Sequence, residues 1–360
     1  MDIQAGRIRQ GPIAAIAAFL AFALALPASA APAFDVNPLS QGLEHPWSIA
    51  LGPDGQLWVT ERPGRLQRID PESGEKTRIS GLPDIRARAE SGLMGLALDP
   101  DFAGNGALYL CYSTGSMLNP GNRLSRFTVN GDEVGDEKIL IDDMPGAMWH
   151  NGCRVEISPD GFLFASMGDA TEADEAQNPR ALAGKIFRLN RDGSIPADNP
   201  DPTSPVWSIG HRNPQGLAFR PGDGSLWSTE HGPDTQDELN KIEKGGNYGW
   251  PRCRGINACG NLPSYHPAAA EFTRDGTIAI SDLIFYKGAA FPEWQDDILF
   301  VALKTGRLYR VQLDGDKVTS HEILIDDSFG RLRDIAEAPD GSLYLATDNG
   351  EDQILHLVPK

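Results

Sequence analysis

The sequence predicts an all-β fold, a six-bladed β-propeller of four-stranded antiparallel blades. The main evidence is a repeated phrase in which a tight turn of the Pro-Asp-Gly kind precedes alternating apolar and polar residues, the pattern of a half-buried strand. Clear copies lie at 52–61, 158–169, 220–232 and 338–350, and looser copies at 99–113 and 291–314. Strand-rich units repeated in this way are typical of propeller blades, and no stretch after residue 30 shows a sustained helical period.

Residues 31–360 are expected to form one propeller domain. No Ser/Gly-rich linker, low-complexity tract or composition break divides them, and repeat-built all-β folds often reach this length as one unit. The chain carries a formal net charge of −18. This charge argues against a nucleic-acid partner and against an anionic membrane surface.

The first 30 residues have the pattern of a secretory signal peptide. Arg7 and Arg9 precede an apolar run over 13–26, and an A-x-A-like cleavage site ends at Ala30. The run is shorter than the about 18 apolar residues that a membrane span needs. We therefore expect a periplasmic or secreted protein, cleaved near Ala30 and without membrane insertion.

The four cysteines fall into two kinds of setting. Cys253 and Cys259 close a short loop that is compatible with a disulfide in an exported chain. Cys111 and Cys153 lie in strand-like runs, where two small buried residues are at least as good an interpretation as a second bridge. The sequence leaves this second pair open.

The repeated turns also fix which residues face each other across a hairpin. In the third copy, pairing Ser158 with Gly161 places His150 opposite Asp169. A carboxylate beside a histidine fixes the ring tautomer and stabilises the imidazolium, so the two residues form a candidate general base with its partner. Histidine–aspartate pairs are also common structural ties, so the pair alone does not establish catalysis.

The same construction, applied to the turns at 221–224 and 338–341, gives three more pairs: Arg212 with Pro233, Asn213 with Gly232, and Arg331 with Asp348. All these pairs lie at the end of the hairpin remote from its turn. That end opens on one common face of a propeller, so residues distant in sequence are expected to converge there.

Cations accumulate at the same predicted mouth. Arg331 and Arg333 are two residues apart in a strand and so share a face, Lys304 belongs to the preceding blade, and Arg212 lies in the fourth copy. Each one could merely pair with a neighbouring acid, as Arg331 could with Asp348. Their convergence in an acidic protein predicts a bound polyanion.

The segment 232–251 is the most unusual stretch of the chain. Its first residue, Gly232, allows a ligand to approach the backbone, and the carbonyls of Gly232 and Pro233 are suitable hard ligands for Ca²⁺. Asp237 and Glu238 could supply further oxygen ligands. The alternative is that both acids are solvated loop residues.

The sequence resembles the soluble PQQ-dependent aldose sugar dehydrogenases of the glucose/sorbosone type. The matching motifs span nearly the whole chain after residue 30: HPWSIALGPDG (45–55), TERPGRL (60–66), SGLMGLALDPDF (91–102), HNG (150–152), GHRNPQGLAF (210–219), EHGP (230–233), DELN (237–240), GGNYGWP (245–251), FPEW (291–294), ALKTGRLYR (302–310), RLRD (331–334) and PDGSLYLATD (339–348). The order of the motifs at 210, 237 and 245 is the most specific part of this resemblance.

The resemblance implies a six-bladed propeller with pyrroloquinoline quinone (PQQ) over its mouth and Ca²⁺ bridging cofactor and protein. It implies an aldose substrate, oxidised at the anomeric C1 hydroxyl to a lactone, with His150 as general base supported by Asp169 and hydride transfer to the quinone. No haem or iron–sulfur motif is present. The electron acceptor is therefore not identified.

Individual roles follow from the motifs. The positions that match cofactor contacts are Glu90, His150, Arg212, Asn213, Lys304, Arg331, Arg333 and Asp348. The carbonyls of Gly232 and Pro233 match the ligands of the catalytic Ca²⁺. Glu238 and the carbonyl of Tyr248 match a second, structural calcium site.

Two positions depart from the pattern of that family. Glu90 stands where members often have glutamine. Its carboxylate adds negative charge beside an anionic quinone. Trp149 stands where the glucose-oxidising type has aspartate, so a bulky aromatic replaces a polar contact next to His150.

Two other classes of protein remain as alternatives. A calcium-dependent propeller lactonase needs a metal and a base but no polyanion site. A non-catalytic propeller that binds a partner at its mouth needs neither the base nor the cations. The combination of His150, Asp169 and the cation set favours the dehydrogenase.

Overall fold

A computed structural model describes residues 33–257, 259–273 and 276–360. The expected signal peptide lies outside these residues. Within them, six four-stranded antiparallel sheets form the blades of a six-bladed propeller, as the sequence predicts. No helix among the described residues is long and apolar enough to cross a membrane.

The strands are numbered in chain order and grouped by blade. Blade one has β2 (Pro46–Leu51), β3 (Leu57–Glu61), β4 (Arg65–Ile69) and β5 (Lys76–Ile79); blade two has β6 (Leu93–Leu98), β7 (Ala107–Gly115), β8 (Pro120–Asn130) and β9 (Glu133–Pro145); blade three has β10 (Val155–Ile157), β11 (Leu163–Met167), β12 (Lys185–Leu189) and β13 (Val206–Ile209). Blade four has β14 (Pro214–Phe219), β15 (Leu226–Glu230), β16 (Asp237–Ile242) and β17 (Ala270–Phe272); blade five has β18 (Ile280–Phe285), β19 (Ile298–Ala302), β20 (Arg307–Asp314) and β21 (Lys317–Asp326); blade six has β22 (Leu332–Glu337), β23 (Leu343–Thr347), β24 (Asp352–Pro359) and β1 (Phe34–Leu43). The described helices are short: α1 (Phe102–Asn105) and two 3₁₀ turns (Ala173–Gln177 and Pro292–Trp294).

Blade six joins the two ends of the described chain. Its outermost strand, β1, pairs antiparallel with β24 from Phe34 opposite Pro359 to Leu43 opposite Asp352. Hydrogen bonds between strands distant in sequence thus join the two ends of the described chain within one blade and close the ring.

The core is divided among the gaps between blades. Six clusters of buried apolar side chains fill the six gaps between adjacent blades, and the cluster between blades two and three also includes Trp47 of blade one. The largest fully buried side chains, such as Trp58, Trp227 and Trp294, lie in these clusters. Each strand alternates between two such gaps, which explains why the repeated phrase is rich in apolar residues.

The innermost strand of every blade carries a β-bulge near the same end. The register shifts at Trp47 in β2, before Leu96 in β6, at Gln215 in β14, before Leu283 in β18 and at Arg333 in β22. In blade three, Ser166 hydrogen-bonds with both Cys153 and Arg154. A bulge turns the strand and re-aims its side chains, so these positions point residues into the central channel and toward one mouth.

Both cysteine pairs form disulfides. Cys253 is bonded to Cys259 as expected. Cys111 is bonded to Cys153, so the two cysteines that the sequence left as either buried thiols or a bridge form a disulfide. Cys111 lies in the middle of β7 and Cys153 at the bulge that precedes β10, so this second bridge joins blade two to blade three.

A buried arginine bridges the inner strands at the centre of the ring. Arg154 donates to the Ser48 hydroxyl (3.0 Å) and the Gln215 carbonyl (2.8 Å), and lies 2.6 Å from Asp334 and 3.3 Å from Asp282. These partners come from four other blades. Burial raises the pKa of Asp282 and Asp334, while Arg154 opposes that shift. One cation therefore ties together the inner strands of five blades.

Below Arg154, the inner strands line a cavity of about 880 Å³ that includes Glu156. Burial raises the pKa of Glu156 to about 7, so the folded protein binds a proton that the unfolded chain releases above its ordinary pKa near 4.5. Stability is therefore lost as the pH rises through this window. Glu156→Gln is expected to raise the Tm by a few degrees at pH 8 and to leave it unchanged at pH 4, as read by thermal melting. The prediction is contradicted if Glu156→Gln and the wild type have the same Tm at pH 8, or if Glu72→Gln, at an exposed site, raises the Tm by the same amount.

Candidate functional site

The predicted site residues named below lie at one mouth of the propeller. Two kinds of loop open there: those that join the second and third strands of a blade, and those that lead from one blade to the next. On these loops, or within two residues of them, lie Glu90, His150, Asp169, Arg212, Asn213, Gly232, Pro233, Lys304, Arg331, Arg333 and Asp348.

His150 and Asp169 form the centre of this site. Nδ1 of His150 lies 2.7 Å from Oδ1 of Asp169, which is buried. Oδ2 of the same carboxylate accepts the indole N–H of Trp250 (2.8 Å), and Oδ1 also accepts the Thr171 N–H. With Nδ1–H donated to Asp169, the other ring nitrogen is an acceptor, and the side chain remains 20% exposed. The pair is therefore arranged as a base and its orienter.

His150 and Asp169 face each other because of a β-bulge that the predicted hairpin register did not include. The turn places Ser158 opposite Phe162 rather than Gly161, so Val155 faces Ala165 and the strand register is one residue off. The bulge at Cys153 and Arg154 restores the register beyond the strand. In blade six a bulge at Arg333 does the same, and the Asp348 N–H donates to the Arg331 carbonyl as predicted.

In blade four the predicted pairs are wrong. The strands follow the predicted register, with Leu217 opposite Ser228, but the bulge at Gln215 then shifts it by one. The His231 N–H donates to the Asn213 carbonyl, so neither Arg212 with Pro233 nor Asn213 with Gly232 is a cross-strand pair. The guanidinium of Arg212 instead donates to the His231 carbonyl at 3.1 Å.

The turn that carries His150 has an uncommon backbone. His150, Gly152 and Cys153 have φ values of 62°, 57° and 71°, and two of these three are not glycine. Left-handed conformations of this kind cost roughly 1–3 kcal/mol each and persist only where surrounding contacts enforce them. The His150 N–H donates to Glu90 (3.0 Å), and the Gly152 N–H donates to the Asn213 side chain (3.0 Å).

A buried lysine fixes the loop that follows Asp169. The ammonium of Lys185, fully buried at the start of β12, donates to the carbonyls of Glu175, Ala176 and Ala183. These carbonyls belong to the loop that follows Asp169, and burial lowers the pKa of Lys185 to about 7. The lysine fixes a loop that has little regular structure of its own.

A second cluster gathers cations around Asp348. Arg333 donates to Oδ2 from Nε (3.2 Å) and from its terminal nitrogen (2.5 Å), and His45 Nδ1 lies 2.6 Å from Oδ1. Arg331 and Arg62 approach to 3.7 and 3.8 Å. Burial opposes ionisation of Asp348, but the charge of Arg333, the hydrogen bond from His45 and the charge of Arg62 outweigh it and hold the pKa below its usual range. Three guanidinium groups thus share one carboxylate.

Lys304 stands apart from this cluster. It lies on the loop between β19 and β20 and is exposed, and its ammonium makes no hydrogen bond or ion pair with any residue that the structure describes, although its backbone N–H donates to the Ile278 carbonyl (3.0 Å). Together with the three guanidinium groups around Asp348 it makes four cations, which outnumber the nearby carboxylates of Asp348 and Glu90. His45, Asp348 and Asp352 are close enough to hold a metal ion, but the surrounding arginines make this group unsuitable for one.

Several buried polar atoms near the mouth lack a partner within the described chain. They are Nε of Arg212, the side-chain amide nitrogen of Asn213 and Nε2 of His231. Burial lowers the pKa of His231 to about 3, so its ring is neutral. Buried polar groups are rarely left unsatisfied, and such groups beside a candidate base point to a ligand.

The loop after β15, which opens at the mouth, contains two backbone carbonyls without a described donor. No described donor binds the carbonyl of Gly232 or Pro233. A side chain at Gly232 would lie 2.0 Å from the Thr235 carbonyl, so only glycine fits. Asp237 is not a free ligand, because it accepts the N–H groups of Gly232 (2.8 Å) and Ile278 (2.6 Å).

Glu238 and Tyr248 lie in blade four, away from His150. In cross-strand register, Glu230, Glu238 and Glu271 form a row over β15, β16 and β17. Burial raises the pKa of Glu238 to about 8, and the charge of Glu230 adds to the shift. No donor among the described residues binds the Tyr248 carbonyl. The Tyr248 side-chain ring stacks on the ring of His211.

Comparison with known proteins agrees with this geometry. The profile described as Glucose / Sorbosone dehydrogenase matches residues 43–356. The chain belongs to the glucose/sorbosone dehydrogenase family. The resemblance inferred from the motifs is therefore confirmed.

Three relatives of this family member show how far the similarity extends. It is 34% identical over 351 residues to aldose sugar dehydrogenase YliI of Escherichia coli, covering 92% of this chain and 95% of that protein. It is 30% identical over 412 residues to quinoprotein glucose dehydrogenase B of Acinetobacter calcoaceticus, covering 88% and 85%. The PQQ-bound aldose sugar dehydrogenase of Streptomyces coelicolor superposes with a TM-score of 0.81 at 32% identity, covering 92% of this chain and all of that one.

The two residues in which this family member departs from the pattern have distinct settings. Glu90 turns toward the backbone of His150, and its charge raises the pKa of Arg62, Arg212 and Arg331 against the larger, opposing effect of burial. Trp149 is 50% exposed and makes no hydrogen bond with the described residues. Glu90 therefore supports the His150 turn, and Trp149 remains exposed beside it.

Sequence reasoning missed three residues of this glucose/sorbosone dehydrogenase site. Arg62 and His45 contact Asp348, and His231 lies beside Arg212. All three fall inside motifs that carry the resemblance. Arg62 also lies on the loop of blade one that corresponds to the Asp348 loop of blade six, which is the signal that could have identified it.

Trp250 gives a separate prediction. Its N–H binds Asp169, while its ring faces the Arg212 guanidinium at 5.4 Å. Trp250→Phe keeps a ring for Arg212 but removes the donor, which makes Asp169 a stronger acceptor for His150. We expect kcat to fall about tenfold and the acid limb of the kcat/KM profile to move to higher pH. Trp149→Phe is the control, with an unchanged profile; an unchanged profile in both variants would contradict the role of Trp250.

Proposed function

We propose that this chain oxidises aldose sugars at the anomeric C1 hydroxyl to the lactone, with PQQ and Ca²⁺ as cofactors and His150 as the general base. PQQ-dependent sugar oxidation is supported by the family and by the PQQ-bound relative. The observation that carries the proposal is the oriented His150–Asp169 pair beside a mouth with excess positive charge and unpartnered buried donors.

His150 performs the proton step. Asp169 holds Nδ1–H, so Nε2 accepts the proton of the substrate hydroxyl, and the same carboxylate stabilises the resulting imidazolium. The Trp250 N–H keeps the carboxylate from rotating away. Trp149, exposed next to His150, is placed to pack against the sugar ring.

The residues of the mouth fit a polycarboxylate quinone. PQQ has three carboxylates, and Arg62, Arg331 and Lys304 are cations that one carboxylate, Asp348, does not neutralise. Arg212 and Asn213 offer donor atoms that lack partners in the described chain. Bound there, the quinone would supply the hydride acceptor.

The free carbonyls of Gly232 and Pro233 fit a hard cation such as Ca²⁺, because oxygen ligands without a donor are what this ion prefers. Such an ion would polarise a cofactor carbonyl as a Lewis acid. We propose a second, structural Ca²⁺ at Glu238 and the Tyr248 carbonyl, where a cation would relieve repulsion along the glutamate row.

The test is reconstitution. Purified protein is loaded with PQQ and Ca²⁺, and reduction of an artificial acceptor dye is followed with a panel of aldoses. We expect turnover that requires PQQ, produces lactone, and is absent with methyl glycosides, in which the anomeric hydroxyl is blocked.

Two outcomes of this experiment would contradict the proposal. If PQQ causes no spectral change and no aldose is oxidised, the dehydrogenase proposal is wrong. If lactones are instead hydrolysed with Ca²⁺ alone, the lactonase takes its place, although that activity gives no role to the excess cations around Asp348.

We also propose that the protein is exported, with cleavage near Ala30. The two disulfides support this, because such bonds persist in oxidising compartments. Mass spectrometry of the mature N-terminus after expression with the full leader tests the proposal, and an intact Met1 in a cytoplasmic fraction would exclude it.

A further inference from the structure

The disulfide between Cys111 and Cys153 lies three residues from His150. Both cysteines are fully buried, and Cys153 belongs to the turn whose left-handed residues place the His150 ring. Cys111 lies in the middle of β7, with Leu124 of β8 opposite it. A rigid strand of blade two is therefore covalently bonded to the turn that carries the base of blade three.

The other contacts of this turn are not covalent. The side chains of Glu90 and Asn213, on two other loops, accept the N–H groups of His150 and Gly152, and backbone hydrogen bonds join Cys153 to Ser166 and His150 to Ala170. On the inner side, the Cys153 carbonyl rests against Gly95 of β6, where a Cβ would come within 2.1 Å. The turn is thus clamped between β6 and β7, and the disulfide is its one covalent bond to a neighbouring blade within the described residues.

We propose that the Cys111–Cys153 disulfide is a positioning element of the active site, which holds the His150 turn in the conformation that aims Nε2 at the substrate. This rests on the proposed function of His150. Since the turn has two non-glycine residues at positive φ, it relaxes toward ordinary backbone angles when a tie is cut. A shift of His150 by about 1 Å is enough to cost roughly a hundredfold in rate.

The cofactor site meets this turn at Glu90 and Asn213, but its cations lie elsewhere. Its cations lie on the loops that carry Arg62, Lys304 and Arg331, in blades one, five and six. Cutting the disulfide is therefore expected to separate two quantities: the affinity for PQQ stays, and kcat falls. A disulfide that contributes only to stability would lower the Tm and leave kcat of the folded protein unchanged.

The experiment compares Cys111→Ala/Cys153→Ala with Leu124→Ala. Leu124 is fully buried in the same apolar cluster as both cysteines, so its truncation opens a cavity there without cutting the bond. Each holoenzyme is assayed at least about 20 °C below its own Tm for kcat, KM and the Kd of PQQ. Cys111→Ser/Cys153→Ser, which nearly conserves volume, is measured alongside and replaces the alanine pair if that pair does not fold.

We expect both cysteine variants to lose roughly ten- to a hundredfold in kcat, with the Kd of PQQ within about twofold of the wild type. Leu124→Ala should lose a similar Tm with kcat nearly unchanged. The proposal is overturned if a cysteine variant keeps kcat within about twofold, or if Leu124→Ala loses kcat to the same extent.

A second readout does not depend on turnover. The Nδ1–H proton of His150, bonded to Asp169, should give a low-field NMR resonance that is absent in His150→Ala. The resonance should persist in Leu124→Ala and shift or broaden in the cysteine variants. If it is identical in all of them, the positioning role is wrong even where the proposed function itself has failed.

Discussion

Replacing His150 with alanine is expected to lower kcat about a thousandfold, because general-base catalysis by a positioned side chain contributes roughly 10²–10⁴. PQQ binding should remain within a few-fold of the wild type, since the cations that fit its carboxylates lie on other loops. The measurement pairs stopped-flow reduction of the bound cofactor by sugar with a fluorescence titration of PQQ.

His321→Ala is the matched control, because this exposed histidine lies on the outermost strand of blade five. It should retain full activity. Should His150→Ala turn over sugar at the wild-type rate while PQQ no longer binds, His150 would be a cofactor ligand and the base would have to be sought elsewhere.

Arg333→Ala is expected to reduce stability more than any other single change at the mouth. The guanidinium is 3% exposed and holds Asp348, itself 3% exposed, while its third nitrogen donates to Gln215 at 2.6 Å. Removing one partner of a buried ion pair costs about 3–5 kcal/mol. For a chain of this size we expect the Tm to fall by roughly 5–10 °C.

Two companion variants isolate the cause of that loss. Arg333→Ala/Asp348→Asn, which also removes the stranded charge, should recover part of the Tm. Lys304→Ala, at an exposed cation with no partner in the described chain, should weaken PQQ binding and leave the Tm unchanged. Equal melting of Arg333→Ala and the wild type would show that Asp348 does not need this arginine.

The fold could be predicted because the repeat is encoded locally. Each turn and its following strand can be identified within a dozen residues, and the ring follows from repeating them. The bulges could not be predicted, since whether one residue is left over in a ladder depends on the neighbouring strands. In blade three the predicted turn register was off by one residue and a bulge was missed, and the two errors cancel, so His150 was correctly placed opposite Asp169. In blade four the turn register was right and only the bulge was missed, so the pair of Arg212 with Pro233 was wrong.

The site residues divide in the same way. His150, Asp169 and Asp348 were identified because their chemistry and hairpin position coincide. Arg62 and His45 were not, since the reason for their importance is the buried charge of Asp348, which only the folded ring brings to them. The Cys111–Cys153 bond likewise depends on two blades meeting, and no local pattern carries that information.

Arg154 bridges the inner strands between the mouth that carries His150 and the cavity that includes Glu156, and we expect it to block passage along the channel. For the proposed reaction, sugar, lactone and electron acceptor must then enter and leave through the same opening, above His150. We expect the product to depart before the acceptor reaches the reduced cofactor, which predicts ping-pong kinetics. At high concentration each of the two substrates should inhibit by occupying the form of the enzyme meant for the other.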